Sequence, residues 1–433
     1  MEDVEDEPLF AGRAAGTGIG KAVVMAAIRV PGRPGGRRRG ETRELGTTRR
    51  ELEALAGWLL EWQVERAGTE ATSDYWKPAY FLLEKAGLDC TLYKASQVKA
   101  LPGRPKTDRR DCVRLAMITG RGPLQGSLVP PEDARRLRAR TRCRRHLVQA
   151  RAAQEQRAEK LPEDARLKPP AVLPGIHGVS GRAMPRAIIA GERDPKALAR
   201  LARGLARRRP RQLEEALDCT FLTDGHVFAP ERMLRHIGQL TAETAGVTTR
   251  IGEPRQPWED KIARLCAIPG FPAASAQDLI AETGADMPAF PAGHLASWAR
   301  QAPGASKPAG RRKATRAGHG NPCSGAAPGE AAAGAARTKT FLGAKYRRLI
   351  RHMPRRKAQR AIMRTQPVII WHIPSSPDAV CNDPGTDYYE RQAGTRRRAR
   401  SHAMALERPG YKVTIEPPHP AEDQGPLPAT KAS

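Results

Sequence analysis

The fold class is indicated most clearly by the segment GTEATSDYWKPAYFLLEKAGLDCTLY, residues 68–93. It contains the end of a short strand predicted over 64–70, an amphipathic helix predicted over 75–86, and a second strand predicted through Cys90 and Tyr93. Strands that alternate with helices are typical of an α/β domain. The segment therefore predicts that a sheet covered by helices forms this part of the chain.

Upstream of this segment the same pattern continues. The run KAVVMAAIRV, residues 21–30, predicts a strand that stops at Pro31, and a loop rich in glycine and arginine is expected to follow it. Thr47 or Thr48 can cap the next helix, whose leucines recur at helical spacing. We expect an α/β domain with a mixed sheet that extends to about residue 125.

Downstream, the pattern predicts mainly helices. A helix dense in arginine is expected over 131–160, beginning at Pro131. A second helix over 233–251 places Ile237, Thr244 and Ile251 seven residues apart, which fits either pairing with a partner helix or packing on the same chain. A third unit is expected over 257–350, and a polar, weakly ordered tail from about 375. Pro185 and Pro367 are expected to disturb the helices that contain them.

The charge of the chain favours a polyanionic partner. Its 433 residues include 74 Lys and Arg against 46 Asp and Glu, a formal net charge of +28, which a small-molecule enzyme does not need. A basic surface that arises only from arginine-rich coding is the alternative. The basic residues cluster along the chain, which favours nucleic acid as the partner.

The remaining composition favours an intracellular protein. The seven cysteines are scattered without a C-x-x-C pair, so neither a disulfide framework nor a zinc site is expected, and a reducing cytoplasm fits. The first ten residues, MEDVEDEPLF, lack the order of a secretory signal. No apolar run approaches the ~20 residues that span a bilayer, so no membrane partner is expected.

Three carboxylates are candidates for metal-dependent chemistry. Glu70 ends a predicted strand, and Asp108 and Asp111 share one face if RPKTDRRD opens a helix. A strand-end carboxylate opposite two helix carboxylates is how RNase-H-like sheets hold paired Mg²⁺ ions for phosphodiester transfer. The alternative is that the D-x-x-D pair belongs to an ordinary solvated helix.

Several longer motifs occur in a characteristic order. They are GTEATSDYWKPAYFLLEKAG, ASQVKALPGRPKTDRRD, IHGVSGRAM, AGERDPKALA and HLASWA. Between about residue 8 and residue 373 the chain resembles the insertion-sequence transposases with a DEDD catalytic domain, the IS-one-ten family.

The resemblance implies a fold that is α/β plus α. It implies a RuvC-like, RNase-H-fold DEDD domain over 8–128, a helical coiled-coil connector over 129–255, a mainly helical C-terminal transposase domain over 256–373, and a polar tail over 374–433. Glu70, Asp108 and Asp111 would be catalytic and hold Mg²⁺. The partners would be DNA, a structured guide RNA and further copies of the chain, in the bacterial cytoplasm at the nucleoid.

Two positions depart from the family pattern. In AGTGIGKAVV, Gly18 stands where the first aspartate is expected, and a glycine side chain cannot bind a metal. In the C-terminal domain, Pro308 stands where a nucleophilic serine is expected. Ser306, two residues earlier, is the candidate that would replace it as the catalytic nucleophile. These substitutions, with Pro185 and Pro367, suggest a decayed copy.

Other segments are candidates for nucleic-acid contact. Residues 265–287 resemble a helix-hairpin-helix around Gly270, although a plain helical hairpin in the core explains them equally well. Basic side chains beside the two aspartates and in a glycine-flanked turn could bind phosphates, or could belong to a solvated loop. They are Lys106, Arg109, Arg110, Arg311, Arg312, Lys313 and Arg316.

Three functions stay open from the sequence. The first is a DNA transposase guided by RNA, the second is a remnant that binds nucleic acid without cutting it, and the third is a RuvC-like structure-specific nuclease. Position 18 distinguishes the first two, because cutting needs the complete carboxylate set. The large basic C-terminal part argues against the third.

Overall fold

The computed structural model describes residues 10–33, 37–100, 107–160, 179–219, 222–253, 258–290, 294–299, 301, 322–376, 378–392 and 395–414. The chain forms two compact units, Met1–Val129 and Pro130–Ser433. Within the described ranges, no helix combines the length and the apolar character that crossing a membrane requires.

A mixed sheet organises the first unit. Among its described residues the sheet has five strands in the order β3-β2-β1-β4-β5. The strands are β1 Ala14–Ile19, β2 Val23–Val30, β3 Arg39–Gly46, β4 Arg66–Ala71 and β5 Asp89–Lys94. The first three strands pair antiparallel, whereas β4 and β5 run parallel to β1. The predicted mixed sheet with helices is confirmed.

Helices cover both faces of this sheet. They are α1 Arg49–Glu61, α2 Trp76–Lys85, α3 Ala95–Ala100 and α4 Asp108–Arg121. Ala15 and Val24 belong to the same apolar core as Leu55 of α1 and Leu83 of α2. Side chains alternate between the two faces of a strand. The residues of β1 and β2 that alternate with these core residues therefore lie on the opposite face, where α4 packs.

Strand β3 corrects one expectation. The predicted glycine and arginine loop after Pro31 contains this strand, which pairs with β2 from Arg39 to Gly46. Its sequence RGETRELG is polar on both faces, and its residues are half-buried or exposed. A strand at the edge of a sheet can be this polar because only one of its sides is paired, so its sequence lacks the apolar alternation that predicts strands.

The described part of the second unit is helical. Its first helices are α5 Glu132–Ala158, α6 Val179–Ile189, α7 Pro195–Arg200, α8 Pro210–Ala216 and α9 Asp224–Ile251, with a 3₁₀ turn at Gly204–Arg208. The next are α10 Glu259–Cys266, α11 Ala273–Thr283, α12 His294–Trp298 and α13 Pro322–Ala335. The last are α14 Phe341–Leu349, α15 Arg355–Ser375, α16 Tyr388–Gln392 and α17 Thr395–Glu407.

Helices α5 and α9 pack against each other within the chain. Ala158, at the end of α5, shares a cluster with Ile237, and Arg140 near its start donates a hydrogen bond of 3.1 Å to the carbonyl of Arg250. The two helices are therefore antiparallel. This packing on the same chain buries Ile237 and Ile251, two of the residues spaced seven apart. Helix α9 begins nine residues earlier than predicted, where Thr223 and His226 form a capping box.

The prolines do not end the helices that contain them. Helix α6 continues through Pro185, and α15 continues through Pro367. Met184 and Ile188 of α6, like Ile362 and Ile370 of α15, are buried. Burial of apolar neighbours offsets the hydrogen bond that each proline removes, so both helices persist, and the expected energetic cost of the prolines stays a prediction.

The polar tail is also more regular than expected. Besides α16 and α17, it contains Asp383, whose carboxylate accepts a hydrogen bond of 3.0 Å from the backbone N–H of Phe341 at the start of α14. The ring of Phe341 stacks on Tyr389 and meets Tyr388 edge-on. An anion at a helix N-terminus and these aromatic contacts stabilise the segment, which its polar composition conceals.

Candidate active site

One row of residues crosses the α4 face of the sheet. Gly18 of β1 pairs with Met25 of β2, which pairs with Glu44 of β3. On the other side, Thr17 pairs with Thr69, so the next positions, Gly18 and Glu70, are neighbours. Residues that pair across strands point to the same face. The row therefore places Glu70 and Glu44 on the face that α4 covers, on opposite sides of Gly18.

Helix α4 lies very close to this face. A Cβ added at Gly16 would overlap the backbone of Cys112 and Ala116, and one added at Gly68 would overlap the hydroxyl of Thr119. The glycines therefore allow a contact distance that a larger residue would prevent. Asp108 and Asp111 lie in the first turn of α4, so this approach brings them toward the sheet.

The three predicted carboxylates line one cleft of about 720 Å³, together with Gly18, and two cations border the same space. Glu44 is not predictable from sequence motifs, since only the pairing of β2 with β3 places it here. The charged lining residues are Glu44, Glu70, Asp108, Asp111, Lys99 and Arg114. Across the described part of the chain, no three Asp, Glu, His or Cys side chains lie close enough together to hold a metal ion.

Cys112 occupies the space above Gly18. A Cβ added at Gly18 would lie 3.0 Å from Cys112 Sγ, closer than normal van der Waals contact. The thiol is buried and donates a hydrogen bond of 3.0 Å to the carbonyl of Met25. Burial raises the pKa of Cys112 to about 12, and the nearby carboxylates of Asp108, Asp111 and Glu70 act in the same direction. Burial therefore favours the protonated thiol of Cys112.

Four arginines of α5 form ion pairs with carboxylates of α11. Glu282, whose side chain is 1% exposed, pairs with Arg142 at 2.8 Å and with Arg138 at 3.4 Å. Asp278 pairs with Arg144 at 2.7 Å and with Arg145 at 2.9 Å. Burial lowers the pKa of Arg138, whereas Glu282 acts in the opposite direction. These four arginines of the dense helix therefore serve packing within the second unit.

Residues 33–162 match the family model of the DEDD transposase domain of the IS110 family, whose description is transposase. The chain carries a transposase domain. The match includes Glu70, Asp108 and Asp111, but it begins after β2 and therefore leaves out Gly18. It confirms the family resemblance found in the sequence. No curated protein matches the chain.

Only two of the basic residues predicted to contact nucleic acid lie within the described residues. Arg109 and Arg110 are exposed in the first turn of α4, within the transposase domain. The other predicted residues of this kind lie outside the described residues, as do both candidates for the nucleophile position. They are Lys106, Ser306, Pro308, Arg311, Arg312, Lys313 and Arg316.

The predicted helix-hairpin-helix follows the transposase domain and packs as a buried hairpin. Helices α10 and α11 flank Gly270, whose φ is +78°. A Cβ added there would overlap the backbone of Ala335 in α13, so the turn is covered by that helix. Ile268 and Phe271 beside it are buried. The structure favours the core hairpin among the two interpretations of this segment.

Proposed function

We propose that the chain is an insertion-sequence transposase whose first unit is an RNase-H or RuvC-like domain that cuts and rejoins DNA phosphodiesters. The matched transposase domain supports DNA as the substrate. The strand order, with three antiparallel strands followed by two parallel ones, supports the RNase-H-like assignment. The single observation that carries the proposal is the cleft in this domain, which Glu70, Asp108 and Asp111 all line.

DEDD transposases generally use divalent metal ions, and Mg²⁺ prefers carboxylate oxygens. The donor types in the cleft suit Mg²⁺. The arrangement does not complete a site, because Gly18 supplies no ligand and no three described donors are close enough to share an ion. We therefore assign no reaction step to a metal in the chain as it stands.

The proposal includes impaired strand cutting. Loss of one carboxylate removes negative charge and one ligand from a two-metal arrangement, so affinity for the ion falls. Cys112 Sγ also fills the space that an aspartate at position 18 would use. The second candidate function, a nucleic-acid-binding remnant that does not cut, is favoured by this same observation.

The family resemblance supplies the rest of the proposal. A structured guide RNA would select the target, the C-terminal domain would offer Ser306 as the nucleophile in place of the residue at Pro308, and copies of the chain would act together. The protein would work at the nucleoid in the cytoplasm. The net charge of +28 supports partners that carry phosphates.

Repairing the cleft tests the proposal. Gly18→Asp alone should destabilise the protein by about 1–3 kcal/mol, because the added side chain presses on Cys112. Gly18→Asp with Cys112→Ala should relieve this contact and bind Mg²⁺. Calorimetric titration with Mg²⁺ measures binding, and guanidinium unfolding measures stability.

The same variants with Glu70→Gln added are the control, since they keep the volume of the cleft but remove one donor. A second measurement is cleavage of a DNA that carries the element's ends, in the presence of the matching RNA. For this assay Pro308→Ser is added to the variants. If the unrepaired chain binds Mg²⁺ as tightly as the double repair, impaired cutting is the wrong interpretation.

A further inference from the structure

A basic segment of the second unit lies outside every site described above. Residues 200–211, RLARGLARRRPR, contain six arginines, and no acidic residue occurs between Asp194 and Glu214. We call residues 200–211 the arginine turn. It joins α7, which ends at Arg200, through the 3₁₀ turn Gly204–Arg208 to α8, which begins at Pro210.

The small residues of the arginine turn fix it to a core. Ala202 and Ala206 are buried in a cluster with Leu198, Leu213 and Leu217. Backbone hydrogen bonds from Arg209 to the carbonyl of Ala206 and from Leu213 to the carbonyl of Arg209, each 3.1 Å, continue the turn into α8. The arginines are therefore presented by a packed backbone.

The arginine side chains of this turn point to solvent. All six are exposed. In the part of the chain that the structure describes, no carboxylate forms an ion pair with Arg200, Arg207, Arg208, Arg209 or Arg211. Like charges held close together repel, so this surface favours an anion that can neutralise it.

The geometry fits an extended anion better than a small one. Successive residues of a 3₁₀ helix point about 120° apart, so neighbouring arginines such as Arg207 and Arg208 diverge. Diverging guanidinium groups cannot all converge on one phosphate. They can bind separate phosphates along a polymer, and the planar fork of each guanidinium can donate two hydrogen bonds to the oxygens of one phosphate.

The segment also lacks groups that bind exposed bases. Residues 179–219 contain no Phe, Tyr or Trp. Proteins that bind single strands stack bases on aromatic rings, whereas a duplex presents its phosphates and keeps its bases stacked inside. A duplex backbone is the partner that this chemistry fits.

We propose that the arginine turn binds the phosphate backbone of double-stranded DNA without sequence preference. This inference rests on the proposed function for the choice of DNA. It does not depend on the carboxylate cleft, so binding is expected whether or not the chain cuts.

The test compares two triple variants of the full chain. The first is Arg207→Gln, Arg208→Gln and Arg209→Gln. The matched control is Arg49→Gln, Arg136→Gln and Arg235→Gln, which removes the same charge from exposed arginines paired with carboxylates four residues away. Fluorescence anisotropy of a short labelled DNA duplex measures affinity as salt is varied, and thermal unfolding checks that both variants fold.

Each arginine that no longer binds a phosphate should lower the slope of log affinity against log salt by about 0.9. For three neutralised arginines, the fall in affinity between 50 and 200 mM salt should be about 40-fold smaller in the first variant than in the unmodified chain. The control should keep the unmodified slope. Replacing the same three arginines by lysine should retain most of it, because the charge remains.

Equal slopes in the first variant and the control would overturn the proposal. A labelled RNA duplex of the same sequence forms the second arm. A change of slope with RNA but none with DNA would overturn the choice of DNA. The proposed function fails separately, if the repaired cleft neither binds Mg²⁺ nor cuts.

Discussion

Helix α5 and the arginine turn are both dense in arginine, but the structure uses the two differently. In α5, Arg142 and Arg144 form ion pairs with Glu282 and Asp278 of α11. In the arginine turn, the arginines are exposed, whereas Ala202 and Ala206 are buried in a core. The position of carboxylates therefore decides whether a basic segment stabilises the fold or faces a partner. A count of arginines along the sequence does not distinguish the two.

The largest expected effect comes from removing the buried carboxylate that opposes α5. Glu282→Gln leaves Arg138 and Arg142 without their counter-charge, so the free energy of unfolding should fall by about 3 kcal/mol. Guanidinium chloride unfolding measures it. Glu215→Gln on the exposed face of α8 is the control and should stay within about 0.5 kcal/mol. Equal stability of both variants would contradict the inference that the ion pairs of α5 stabilise the fold.

Asp278→Asn should have a smaller effect. It weakens the charge-assisted hydrogen bonds from Arg144 and Arg145, which are worth about 2 kcal/mol together. Asp260, whose side chain is 81% exposed, pairs with Arg264, and Asp260→Asn should cost under about 1 kcal/mol. Unfolding in urea compares the two. Unchanged stability of Asp278→Asn, together with weaker DNA binding, would instead assign the arginines of α5 to DNA.

The smallest expected effect concerns the backbone of the arginine turn. Gly204 has φ +60° and open space around it, so Gly204→Ala should destabilise the protein by about 1 kcal/mol through strain alone. Gly238, in the interior of α9, also has open space, and Gly238→Ala should stabilise it by about 0.5–1 kcal/mol. Thermal unfolding should show opposite signs. The same sign for both would mean that the turn relaxes without strain.

Much of the first unit follows from its sequence pattern. The apolar run over 21–30 predicts β2, and the leucines before Glu61 predict α1, because buried strands and amphipathic helices leave periodic patterns. Strand β3 leaves none, since its residues are polar on both faces. Helix α9 extends through Pro230 because its N-terminus is capped by Thr223 and His226, which residue periodicity does not reveal.

Three acidic residues of the candidate site were predictable from the sequence, but the thiol of Cys112 that lies against Gly18 was not. Glu70, Asp108 and Asp111 follow from the D-x-x-D spacing and the family motifs, and the structure places them along one cleft. Their catalytic roles stay predictions. Glu44 and Cys112 could not be found in this way, because strand pairing and the close approach of a helix bring them to Gly18. Both depend on contacts between residues far apart in the chain.

The glycines beneath α4 have a consequence for interpreting inherited changes in such elements. Gly16 and Gly68 carry no chemistry, yet they set how near α4 comes to β1 and β4. An alanine at position 16 would overlap the backbone of Cys112 and Ala116, so α4 would have to shift and carry Asp108 and Asp111 with it. A copy of the gene can therefore lose its acidic cleft through a change that leaves every carboxylate intact. Surveys that score only the acidic positions would count such a copy as functional.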